Sequence, residues 1–149
     1  MNKKAVCDAV VNQMLNDKDE ALRNLDGLQE ALNAESRSTA GDKHDTGRAM
    51  IHREIEQVES TLKRVEEAID SMLRIEQSKQ KPNRVAAGVL VETNGPWVLV
   101  GVAFGRLELP TCEIVGASSK APLAQAWHGS VVGDVVNMGP KKWTIKALH

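Results

Sequence analysis

Asp42 and Asp45 stand three residues apart in the run Gly41-Asp42-Lys43-His44-Asp45. At the start of a helix, two carboxylates at that spacing share one face. They act there as hard oxygen donors projecting together, or as caps that satisfy free amides and the positive end of the helix dipole. Cations crowd the same stretch: Arg37, Lys43, His44, Arg48 and Arg53. Elsewhere chemistry-bearing residues are sparse. Cys7 and Cys112 lack the spacing of a metal or redox pair. His44, His52, His128 and His149 are scattered. No glycine-rich phosphate loop and no nucleophile beside a base is evident, so independent catalysis is not expected.

The elements that must position the two acids are legible in the apolar spacing. Ile51, Ile55, Val58, Leu62, Val65, Ile69 and Met72 alternate steps of four and three, which is a coiled-coil seam. Val11, Met14, Leu22, Leu25, Leu28 and Leu32 form an earlier stripe interrupted by Lys18. Leu32 with Ile51, Leu28 with Ile55, Leu25 with Val58, Met14 with Ile69 and Val11 with Met72 all have residue numbers adding to 83. That is the signature of two helices folded back near Gly41 and Asp42. The first domain, 1–80, is therefore expected to be an antiparallel coiled-coil hairpin with helices near 3–37 and 45–79 and its tip near 38–46. Each helix would be about 35 residues and roughly 50 Å long. Outer positions such as Arg53, Glu54, Glu59, Lys63 and Glu66 are a solvated face.

Composition changes sharply after residue 81. All 5 prolines, all four aromatics (Trp97, Phe104, Trp127, Trp143) and most of the 11 glycines lie beyond it. The polar stretch from Gln77 to Asn83, with Pro82, closes the helical part. The second domain, 84–149, reads as a small twisted antiparallel sheet with a short helix, making the fold class α+β. Strands are expected at Val85–Glu92 and Trp97–Val102, joined at Asn94-Gly95. Further strands are expected at Leu107–Leu109, Cys112–Val115, Val131–Val136 and Trp143–Leu148. The short helix is expected at Ala121–Trp127, with Pro122 in its first turn.

A net charge of -1 gives no global reason to expect binding to a nucleic-acid backbone. The N-terminal stretch lacks the apolar core of a secretory signal, and no stretch is apolar enough for a membrane span. A reducing cytoplasm suits the two cysteines. The expected protein is a cytoplasmic monomer with no membrane partner.

The order of elements resembles that of the Gre transcript-cleavage factors of bacterial RNA polymerase. Two stretches carry the resemblance. Gly41-Asp42-Lys43-His44-Asp45 resembles the family's tip pattern of glycine, an acid, two variable residues and a second acid. Ser118-Ser119-Lys120-Ala121-Pro122-Leu123-Ala124, with Gly129-Ser130-Val131-Val132-Gly133-Asp134, is similar to the signature of the family's FKBP-like C-terminal domain. The resemblance implies that the sheet domain docks on the rim of the polymerase secondary channel through Ala121, Pro122, Leu123 and Ala124. The hairpin would enter the channel, and Asp42 and Asp45 would help hold a second catalytic Mg2+ with the polymerase. The polymerase would then hydrolyse its own backtracked transcript. Magnesium takes only one or two carboxylates from any one source, so two tip acids are a sufficient contribution. No cofactor is expected for the chain alone. Apart from the resemblance, Lys43, His44 and Arg48 are candidates to bind transcript phosphates near the nascent RNA 3′ end or polymerase acids, or to neutralise the tip acids.

Thr46-Gly47-Arg48-Ala49 departs from the family's Asn-Ala-Glu-Tyr, and the second acid is aspartate rather than the commoner glutamate. These departures favour an alternative, a regulator that blocks the secondary channel without cleavage. An FKBP-like isomerase or chaperone is a further alternative, for which the four aromatics would have to line a proline pocket. A coiled-coil adaptor is the last.

Overall fold

The structure, a computed structural model, describes the backbone of residues 2–36 and 41–149 and the side chains of 2–35 and 46–149. Asn2 opens the first helix by accepting the Ala5 N–H at 2.8 Å on its side-chain oxygen, an N-cap. Helix α1 runs Lys3–Ser36 and α2 runs Gly41–Gln77. Gly41 and Asp42, expected at the fold-back, thus carry helical backbone. Ser78 N–H bonds Ile75 C=O at 3.2 Å and tightens the end of α2 before Pro82.

The chain divides into two compact units, residues 13–67 and residues 1–12 with 68–149. In the first, burial follows the expected spacing on α2. Ile51, Ile55, Val58, Leu62 and Val65 are half-buried, while the residues between them are exposed. On α1 the stripe differs from expectation. Ala21 is buried and Leu22 is 42% exposed. Spacing wins over side-chain size here: three residues after Lys18 and four before Leu25, position 21 keeps the 3–4 rhythm and position 22 breaks it. Lys18 does not interrupt the stripe. It is half-buried at a stripe position, and its ammonium reaches Glu66 at 3.6 Å. In the second unit, Lys4 Nζ lies 3.3 Å from Glu76 Oε1. The earlier α1 residue pairs with the later α2 residue, which is compatible with a helical hairpin.

The second unit contains a six-stranded sheet in the order β3-β4-β2-β1-β6-β5. Its strands are β1 Leu90–Thr93, β2 Trp97–Val100, β3 Arg106–Glu108, β4 Glu113–Ala117, β5 Val135–Met138 and β6 Lys141–Leu148, with α3 at Pro122–Trp127. The sheet is mixed, not antiparallel. β3 and β4 form their own hairpin, and β4 then lies parallel to β2, pairing Val98 with Val115. Val85–Val89, expected as strand, is not. Gly88 has φ 88 and Gly101 has φ 106, and a Cβ on Gly101 would come within 3.2 Å of Gly88 N. This close backbone crossing ends both segments and admits only glycine geometry. Val131–Asp134 is a turn rather than strand, held by Val131 N–H bonding Asp134 Oδ2 at 2.9 Å.

The Asn94-Gly95 hairpin is present, with Leu90 opposite Leu99. Its glycine is needed for packing, because a Cβ there would meet the Trp143 ring, while its φ is not positive. Thr93 Oγ1 donates to Pro96 C=O at 2.7 Å and accepts from Gly95 N–H at 3.0 Å, closing the turn. Beneath the sheet, Trp127, Val85, Val91, Val98, Val100, Val136 and Ile145 form the core. Each such side chain, fully buried, contributes about 1.5–3 kcal/mol, more than a half-buried seam residue can.

Candidate functional site

The expected tip acids fall on the first turn of α2, since its backbone is helical from Gly41. Three residues apart, Asp42 and Asp45 start from one helix face. The side chains of Asp42, Lys43, His44 and Asp45, and residues 38–40 of the expected tip, lie outside the described residues. Just beyond them, Gly47 and Arg48 are half-buried and Thr46 is exposed. A Cβ on Gly47 would meet Glu35 Oε1 at 3.2 Å. The Glu35 carboxylate thus occupies the space that a larger residue at position 47 would take. Glu35 carried no signal in the sequence, because only folding brings α1 residue 35 beside α2 residue 47.

The expected docking residues gather on α3. Pro122 is exposed at the first helical position, which lacks an N–H demand. Ala121 and Leu123 are half-buried and pack against the core, and Ala124 is buried in it. Trp127, 1% exposed, anchors the helix by donating from Nε1 to Asn137 C=O at 2.8 Å. Next in the chain come three exposed apolar residues, Val131, Val132 and Val135, the last 62% exposed. Sequence reasoning placed these valines in a strand. Val131 and Val132 are exposed because they lie in the Val131–Asp134 turn, while Val135 opens β5 on its exposed side, with Val136 buried beside it. Arg48 belongs to the other unit.

The four aromatics fall in three places. Trp127 is core, and Trp143 packs against that core and covers Gly95. Trp97 stacks on His149 with ring centroids 5.7 Å apart, while Phe104 lies beside Gly116. His149 also meets Glu92 at 3.0 Å. Among the described residues no helix is long and apolar enough to cross a membrane. Comparison with protein-family models gives no match, and comparison with curated proteins gives none either.

Proposed function

We propose that the chain is a Gre-like accessory factor of bacterial RNA polymerase. One observation carries this reading: two long helices with a narrow 3–4 apolar stripe precede a small mixed sheet, and the proline-bearing α3 stands where the docking signature was read. On this reading α1 and α2 form an antiparallel hairpin that enters the secondary channel, and the FKBP-like sheet unit holds the channel rim. Asp42 and Asp45 supply oxygen ligands from a rigid support. Magnesium, when held between these acids and the polymerase, supplies Lewis-acid activation for transcript hydrolysis. The two acids suit such a hard ion, which needs few protein carboxylates and keeps its remaining positions for other oxygens.

Docking on this reading uses exposed Pro122 with Val131, Val132 and Val135, while Leu123 and Ala124 hold α3 in place from below. Exposed apolar side chains clustered after one helix are the usual material of a binding surface. The dispersal of the aromatics supports this over an isomerase, which needs them around one pocket. The departure of Thr46-Gly47-Arg48-Ala49 from the family's pattern favours a second reading, a channel-blocking regulator.

A photo-crosslinking residue at Thr46 tests the placement. Mixed with bacterial RNA polymerase, the protein is expected to crosslink to peptides lining the secondary channel. Crosslinks confined to the outer surface of the polymerase would defeat insertion.

A further inference from the structure

A cavity of about 470 Å³ opens in the sheet-bearing unit, between the start of α1, the last turns of α2 and residues 80–89. Lys3, Arg74, Lys81 and Arg84 line it, and no carboxylate does. The whole chain carries 19 basic and 20 acidic residues, so four cations without an acid is a local departure. None of the four forms an ion pair among the described residues.

Helix-end electrostatics account for only part of this. Arg74 suits the last turn of α2, where its Nε donates to Asp70 C=O at 3.4 Å. Lys3 is placed against the dipole, in the first turn of α1, which holds no acid. Its ammonium is partly buried and donates to Gly88 C=O at 2.8 Å. Burial holds it below the ordinary lysine value. An anion in the cavity is the partner that would offset both penalties. The size falls in the range of small-molecule sites, about 300–1,000 Å³. Two arginines offer planar forks that match phosphate oxygens, and the Ser71 and Asn83 side chains add polar lining.

We propose that this cavity binds a small oligophosphate-bearing molecule, with Arg74 and Arg84 gripping the phosphates and Lys3 and Lys81 neutralising them. The proposal is independent of the polymerase reading, and its test uses no polymerase. Inorganic tripolyphosphate and ATP are titrated separately into the full chain, followed by calorimetry and by amide NMR shifts. Shifts are expected to concentrate at Arg74, Lys81, Arg84, Gly88 and Gly101. The Arg74→Gln/Arg84→Gln variant, changed at two exposed positions, is expected to keep its melting temperature and weaken binding about tenfold or more. Lys142→Gln, on β6, is expected to leave binding unchanged. Tighter binding of ATP than of tripolyphosphate identifies a nucleotide as the source, and equal binding identifies the phosphates alone. Equal affinity in the double variant, shifts spread over surface lysines, or tighter binding of a single-stranded oligonucleotide than of either probe would overturn the assignment.

Discussion

Asp42 and Asp45 carry the chemical part of the proposal, and their replacement by asparagine removes charge at constant volume. Both stand in the first turn of α2, where an acid contributes about 0.3–1 kcal/mol through the helix dipole, so Asp42→Asn/Asp45→Asn is expected to lower stability by about 1 kcal/mol in urea unfolding. Polymerase binding should be retained while stimulation of transcript hydrolysis is lost, with partial recovery at raised magnesium. Full cleavage activity in this variant would reduce the acids to partners of the helix dipole. Gly95 offers a test of packing alone. Alanine there drives a methyl into the Trp143 ring, and overpacking of this kind costs about 1–3 kcal/mol, read as a lower denaturation midpoint. The two cysteines should also separate. Cys7 is buried, and that burial pushes its thiol above the ordinary value. At pH 8 a thiol reagent should therefore modify half-buried Cys112 well before Cys7. Equal rates would show that the base of α1 opens readily.

At the scale of elements, the stripe on α1 gives a paired prediction. Leu22→Lys changes an exposed side chain and should alter stability by less than about 0.5 kcal/mol. Leu25→Lys places a charge on the half-buried stripe and should cost about 1–3 kcal/mol. Equal effects in thermal unfolding would contradict the observed stripe. The sequence made α2 legible because every seam position is filled by an apolar residue. It misled on α1, where Ala21 is small and Leu22 merely looks like core. Strand existence was readable from β-branched runs, and the Asn94-Gly95 turn from its residue types. Pairing direction was not readable, since nothing local to β4 says that it will lie beside β2. Nor was the end of the first run, because the glycine crossing at Gly88 and Gly101 is a tertiary event. The candidate site was legible only where its residues are neighbours in the chain. Glu35 beside Gly47, and the cations of Lys3 with Arg74 and Arg84, are long-range meetings. The turn after α3 adds its own prediction: Val132→Asp, at a residue 55% exposed, should abolish polymerase binding without lowering the melting temperature. Unimpaired binding would move the docking surface elsewhere.

For the whole molecule, the proposed insertion needs a tip that acts at a distance from the docking surface. Deleting one matched heptad from each helix keeps the seam in register and withdraws the tip by roughly 10 Å. The shortened protein should still bind polymerase through its sheet unit. A channel blocker would lose inhibition on shortening yet keep it in the Asp42→Asn/Asp45→Asn variant, whereas a cleavage factor would lose its effect in both. The most direct measurement is transcript cleavage in stalled, backtracked elongation complexes, with the unshortened protein, the shortened protein and no addition compared. The unshortened protein is expected to accelerate release of the 3′ fragment, and the shortened one is not. Equal cleavage rates in all three reactions, with the unshortened protein demonstrably bound, would contradict the proposed function.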